Sequence, residues 1–112
     1  MSEIPRIAAY IKADSQNDAN MQYRKIIRYI NEVLPGGTCF FFCDHSTKVP
    51  VEFNRFLYLA GKKKFTHLVT CNNENLPGDI ISLLHMTGVT LATIHDNSFI
   101  QIFQYKKEPE SL

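Results

Sequence analysis

The spacing of apolar and polar positions divides the first third of the chain into a strand and a helix. Apolar and polar residues alternate weakly over residues 6–13, and residues 14–18 are polar. This pattern predicts a strand followed by a loop. From Asn20 the apolar residues recur at helical spacing, until Pro, Gly and Gly at 35–37 end the predicted helix. The predicted inner face of this helix consists of Met21, Ile26, Ile27, Ile30, Val33 and Leu34.

The middle of the chain repeats this order of elements. A short aromatic run at 39–44 predicts a strand that is buried on both faces, as in a parallel sheet. A polar loop leads to a second helix, which Gly61 and the lysines at 62–64 close. Its predicted inner face consists of Val51, Phe53, Phe56, Leu57, Leu59 and Ala60.

The last third predicts a strand at 66–71, a helix over approximately 77–86 with a proline in its first turn, and a strand at 89–95. Residues 99–105 are a candidate fifth strand. We therefore expect one domain over residues 1–105, followed by a polar tail at 106–112.

Strands that alternate with helices in this way indicate an α/β fold. We predict a three-layer fold with a mainly parallel sheet of four or five strands, flanked by helices. The loops after the first three strands then meet at one edge of the sheet, where open α/β sheets bind ligands. The residues expected at this edge are Asp14, Ser15, Asp44, His45, Asn72, Asn73 and Glu74.

Composition narrows the classes of function. The formal charge of the 112-residue chain is +1, whereas a nucleic-acid-binding module usually carries a strong basic excess. The start of the chain lacks the pattern of a signal peptide, and no apolar run approaches the ~18–20 residues that span a bilayer. Cys39 and Cys43 would lie about 13 Å apart along a strand, too far for a disulfide between them. A reduced, cytoplasmic setting is expected, and the Cys and His spacing does not favour a zinc site.

The order of several residues resembles the catalytic domain of the serine site-specific recombinases, the resolvases and invertases. That family opens with a strand that carries tyrosine, then arginine two residues on, then the nucleophilic serine two beyond. Tyr10, Lys12 and Asp14 stand at these places. The family's second strand ends in an aspartate, as Asp44 does here, and Arg55 matches an arginine of the next helix. The resemblance covers roughly residues 6–97.

The resemblance also shows what has changed. Asn73, Glu74 and Pro77 stand where the family has an aspartate and two arginines, and Asp14 replaces the nucleophile. In the family, the serine hydroxyl attacks a DNA phosphodiester while several cations neutralise the phosphoryl oxygens. Lys12 keeps a charge but lacks the bidentate fork of arginine. The resemblance therefore implies a domain without normal strand transfer, acting as a binding or regulatory module or as a mobile-element remnant.

Two alternatives stay open at this point. A shift of one residue would make Ser15 the nucleophile of an active recombinase domain. The set of cations would still be incomplete, and the simpler interpretation of Ser15 is a loop or helix-cap residue. The acidic edge could instead bind a divalent cation or a small ligand. Asn73 and Glu74 are the candidate substrate-binding residues. No cofactor is predicted. The candidate partner is either weakly bound DNA or a recombinase or helix-turn-helix protein that supplies the DNA-binding part. A homodimer is the candidate assembly, and no membrane partner is predicted.

Overall fold

The computed structural model of the protein describes residues 4–71 and 75–94 and the backbone of residues 100–103. Strands and helices alternate through these ranges, because the apolar period changes between two and 3.6 residues. The strands are β1 (Arg6–Ala13), β2 (Thr38–His45), β3 (His67–Thr70), β4 (Thr90–Ile94) and β5 (Ile100–Phe103). The helices are α1 (Gln16–Val33), α2 (Val51–Gly61) and α3 (Ile80–Thr87). The predicted tail at 106–112 lies outside the described residues.

The strands form one sheet in the order β2-β1-β3-β4-β5. The first four are parallel, and β5 runs antiparallel to β4. Alternate residues of β1 face opposite sides of the sheet. Tyr10 belongs to the buried cluster that contains Phe53 of α2 and Leu84 of α3, whereas Ile11 belongs to the cluster that contains Ile26 of α1. The sheet thus lies between two helical layers. The predicted three-layer α/β fold with a mainly parallel sheet is confirmed.

The position of β2 differs from the prediction. This strand was expected to be buried on both faces, but it lies at the end of the sheet. Only Phe42 of the aromatic run is buried, whereas Phe40 is 59% exposed. The prediction was wrong because a run of aromatic residues does not encode strand order. The crossover through α1 places β2 on one side of β1, and the next crossover through α2 places β3 on the other side.

Helix α1 begins earlier than expected, at Gln16 rather than Asn20, because Ser15 caps its first turn. Its buried face is also different. Met21 and Val33, which were predicted to point inward, are 50% and 40% exposed. The buried residues of α1 are Gln22, Ile26, Tyr29 and Ile30.

Helix α2 spans the predicted range and ends at Gly61, whereas α3 is shorter than the predicted 77–86. In α2 the buried residues are Phe53, Phe56 and Ala60, while Val51 at the start of the helix is 60% exposed. Helix α3 begins at Ile80, so Pro77 belongs to the preceding loop and not to the first turn. Gly88 ends α3 with a φ of 79°, a left-handed conformation that glycine adopts without steric cost.

Candidate functional site

A groove opens at the carboxyl edge of the sheet, between the loops that follow β1 and β2. Its volume is about 400 Å³. Four of the residues predicted from the sequence line it together, namely Asp14, Ser15, Asp44 and His45. Parallel strands bring their carboxyl ends to one edge, so residues about 30 positions apart in the sequence meet there.

Ser15 begins helix α1. Its backbone is extended, and its Oγ accepts a hydrogen bond of 3.1 Å from the backbone N–H of Asp18. Its carbonyl oxygen accepts the N–H of Ala19 at 3.0 Å. This is the geometry of a helix N-cap, in which a side-chain oxygen satisfies an amide that lacks an intrahelical partner. The hydroxyl of Ser15 thus has a structural task that does not require catalysis.

Asp44 ends β2 and caps helix α2. The residue at the start of that helix, Pro50, provides no side-chain cap. Instead, Oδ1 of Asp44 accepts the N–H of Glu52 at 2.9 Å, and Oδ2 accepts the N–H of Phe53 at 3.0 Å. The carboxylate also lies at the positive end of the helix dipole. Asp44 thus joins the edge strand to the helix that packs on it.

Tyr10 supplies a third hydrogen bond to the same carboxylate. Its hydroxyl donates to Oδ2 of Asp44 at 2.8 Å, and its ring packs edge-on against Phe53 with centroids 4.9 Å apart. Burial raises the pKa of Tyr10 well above its ordinary value, and the hydrogen bond and negative charge of Asp44 raise it further. The phenol therefore stays protonated at neutral pH and acts as a donor.

The two cations of the predicted site lie apart from each other. Lys12 is half-buried on β1 and stands opposite Asp44 in the register of the two strands. Arg55 lies on the exposed face of α2, where its Nη1 contacts the Glu52 carboxylate at 3.3 Å. It lines a different groove, alongside Phe40 and Lys64. The structure therefore does not bring Arg55 to the groove of Asp14 and Ser15.

The remaining predicted positions follow β3. Asn72, Asn73 and Glu74 lie outside the described residues. Pro77 is exposed and lines a small apolar cleft with Leu76 and Ile81.

A buried polar network, which the sequence analysis missed, occupies the crevice between β1 and β3. The Gln22 side chain donates to the Lys12 carbonyl at 2.9 Å and accepts from Asn75 Nδ2 at 3.2 Å. Asn75 also donates to Thr70 Oγ1 at 3.2 Å, and Thr70 donates to the Tyr10 carbonyl at 2.9 Å. One signal was present: Gln22 precedes Ile26 by four residues and so falls on the apolar stripe of α1.

The network matters because of where it lies. The strand order reverses between β1 and β3, and doubly wound sheets bind ligands in the crevice at such a point. Gln22, Thr70 and Asn75 are each at least nine-tenths buried there and bond to one another. The open groove consequently lies to one side, between β1 and β2.

Two further properties of the described residues bear on function. No group of three or more His, Cys, Asp or Glu side chains among them is arranged to hold a metal ion. No helix within the same ranges combines the length and apolar character needed to cross a bilayer.

Comparisons with family models, with curated proteins and with solved structures find no match to this chain. The resemblance to the serine recombinases stays a prediction from the order of residues.

Proposed function

We propose that this chain is a serine-recombinase-like domain that does not transfer DNA strands and that acts as a binding or regulatory module. The observation that supports this proposal is the set of hydrogen bonds that the Asp44 carboxylate accepts within the fold. Its carboxylate accepts the Tyr10 hydroxyl and two backbone amides of α2, so the aspartate and tyrosine of the resemblance hold the fold together.

Among the described residues that line it, the groove also lacks the charge pattern that phosphoryl transfer needs. A phosphodiester in reaction requires several cations around its oxygens. Asp14 and Asp44 line this groove, whereas Arg55 is paired with Glu52 along another surface. An anion that entered the groove would meet two carboxylates, so we propose that the groove does not hold a scissile phosphate.

The rival function is an active recombinase domain that uses Ser15. The cap hydrogen bond from Asp18 to Ser15 argues against it, because this contact is complete without any substrate. A nucleophile is instead expected to contact a general base.

The two functions are separated by a covalent-adduct assay. The chain is incubated with a supercoiled library of genomic fragments and analysed under denaturing conditions, in parallel with Ser15→Ala. We expect no protein–DNA adduct from either protein. An adduct formed by the unaltered chain and lost in Ser15→Ala would overturn the proposal and establish Ser15 as a nucleophile.

The same preparation tests DNA as a partner. The formal charge of +1 leaves few phosphates that the chain could neutralise, so binding to duplex DNA is expected to be weak and to disappear between low and physiological salt. Fluorescence anisotropy of a labelled duplex measures this. Sequence-selective binding that persists at physiological salt would contradict a role that depends on a partner's DNA-binding domain.

A further inference from the structure

The outer edge of β2 is open within the described part of the chain, since β2 ends the strand order. Two hydrogen bonds determine which backbone groups point outward. The N–H of Thr38 bonds to the Pro5 carbonyl at 3.0 Å. The N–H of Ser46 bonds to the Ala13 carbonyl at 3.0 Å. Even-numbered residues of β2 thus bond inward to β1, and the outward groups belong to the odd-numbered residues, Cys39, Phe41, Cys43 and His45.

This edge lacks the features that usually prevent pairing with another chain. Natural edge strands carry lysine or proline, are very short, or contain bulges. Strand β2 has eight residues that pair with β1 in unbroken register, and residues 38–43 contain neither a charge nor a proline. Phe40 is 59% exposed beside the edge. An aromatic edge strand of this length, without a bulge and with neither charge nor proline at residues 38–43, is suited to pairing with a further strand.

The sequence of β2 is self-complementary in the antiparallel direction. Residues 39–43 read Cys-Phe-Phe-Phe-Cys from either end, with Phe41 at the centre. A two-fold axis at Phe41 would place Cys39 opposite Cys43 of a second copy and Phe40 opposite the second copy's Phe42. Directly opposed aromatic residues stabilise antiparallel pairs. Because the backbone groups of Phe41 point outward, the central pair is a hydrogen-bonded one, and three such pairs give about six interchain hydrogen bonds.

Charge supports the same orientation. The groove along β2 carries Glu52 and its ion-pair partner Arg55 towards one end and Lys64 at the other. Asp44, one residue before the end of β2, adds a second carboxylate at the Glu52 end, so carboxylates outnumber the cation there. The backbone of Glu52 bonds to Asp44, near the carboxyl end of β2. The Lys64 carbonyl bonds to Arg6, which pairs in register with Thr38 at the amino end. An antiparallel arrangement brings the acidic end of each copy toward the basic end of the other, whereas a parallel arrangement would oppose like charges.

We propose that two copies of this chain associate through β2, antiparallel and two-fold symmetric about Phe41, to form one continuous sheet. The axis is perpendicular to the sheet, so helix α1 of both copies lies on one face and helix α2 of both lies on the other. This surface is independent of the groove at Asp14 and of the recombinase resemblance. One strand pair makes a small interface, so the dimer is expected to depend on protein concentration.

The cysteines provide a direct test of the pairing. Opposed residues of a hydrogen-bonded antiparallel pair have Cα atoms about 5.5 Å apart, within reach of a short bifunctional thiol reagent such as dibromobimane. In a background with Cys71→Ala, Cys39→Ser and Cys43→Ser are prepared as separate proteins. In either one alone, each remaining thiol faces a serine of its partner. In a mixture of the two, Cys43 of one chain faces Cys39 of the other.

We expect a crosslinked dimer in the mixture and none in either variant alone. Burial raises the pKa of Cys39 to about 11, so the reaction is run at alkaline pH and for long times. Equal crosslinking of a single variant, or no crosslinking in the mixture, overturns the pairing.

Sedimentation of the chain with its cysteines intact and reduced provides the second measurement. Phe40→Lys adds a charge at the exposed edge and is expected to shift the population to monomer. Met86→Lys adds the same charge at a 77% exposed position on α3 and is expected to leave the dimer unchanged. A monomer at all concentrations for the unaltered chain, or an equal response to both substitutions, overturns the proposal.

Discussion

The hydroxyl of Tyr10 donates a 2.8 Å hydrogen bond to Oδ2 of Asp44 and so links the strand next to the sheet edge with the strand at that edge. The same carboxylate holds the first turn of α2 through the N–H groups of Glu52 and Phe53. One side chain therefore connects two strands and a helix. The stability of the fold should depend on it in a measurable way.

Removal of the Tyr10 hydroxyl tests this link. Tyr10→Phe keeps the buried ring but removes a donor to a carboxylate, and hydrogen bonds to charged groups contribute about 1.5–3 kcal/mol. We expect the free energy of unfolding in urea to fall by about that amount. Tyr58→Phe serves as the control, because Tyr58 is 64% exposed, and should change stability by less than ~0.5 kcal/mol. Equal effects of the two substitutions would show that the hydrogen bond between Tyr10 and Asp44 does not contribute to stability.

Asp44→Ala should cost more than Tyr10→Phe. It removes the cap of α2, which is worth about 0.5–2 kcal/mol, and also leaves the buried Tyr10 hydroxyl without its acceptor. The double variant gives the coupling energy directly. We expect the double variant to be less destabilised than the sum of the single ones, by roughly 0.5–3 kcal/mol in urea unfolding. Additive effects would mean that the two side chains act independently.

Ser15 distinguishes a cap from a nucleophile. Ser15→Ala should lower the free energy of unfolding by about 1 kcal/mol. Ser15→Asn should keep most of the stability that Ser15→Ala loses, because asparagine caps helices as well as serine does. Asparagine has no hydroxyl, so a function that survives in Ser15→Asn does not use Ser15 as a nucleophile. Urea unfolding of the three proteins provides the measurement. Equal losses in both variants would contradict the capping role.

The polar network at the crevice predicts that replacing the buried Gln22 lowers the stability of the fold, whereas replacing an exposed glutamine of the same helix does not. Gln22→Met keeps the volume of the side chain but removes its bonds to the Lys12 carbonyl and to Asn75. We expect a loss of about 1–3 kcal/mol, since a buried carbonyl and amide lose partners. Gln16→Met, at an exposed position of the same helix, is the matched control and should have little effect. A neutral Gln22→Met would indicate that these groups find other partners.

The buried thiols predict a dependence of stability on alkaline pH. Burial raises the pKa of the Cys71 thiol from 9.0 to about 11. It also raises the pKa of the Cys39 thiol to about 11. In the unfolded chain these thiols ionise near pH 9, while the folded protein keeps them protonated. The contribution of these thiols to the free energy of unfolding is thus complete below pH 9 and is lost as the pH rises through 11.

The urea midpoint, measured in reductant at several pH values between 8 and 11, checks this. Tyr10 and Tyr29 add to the loss above pH 10, because burial raises the pKa of both. Cys71→Ala should reduce the slope between pH 9 and 11 whatever its effect on absolute stability. An unchanged slope in Cys71→Ala would show that this thiol does not contribute.

The sequence by itself determined the alternation of strands and helices, the α/β class and the meeting of the loops that carry Asp14, Ser15 and Asp44. These follow from local periodicity and from the rule that parallel strands end at one edge. Tertiary structure alone decided that β2 lies at the edge, because strand order depends on how the crossovers pack and an aromatic run is compatible with either place. It also decided the partners of Asp44. The hydrogen bonds of a carboxylate depend on which groups the fold brings within about 3 Å, and no local pattern specifies those.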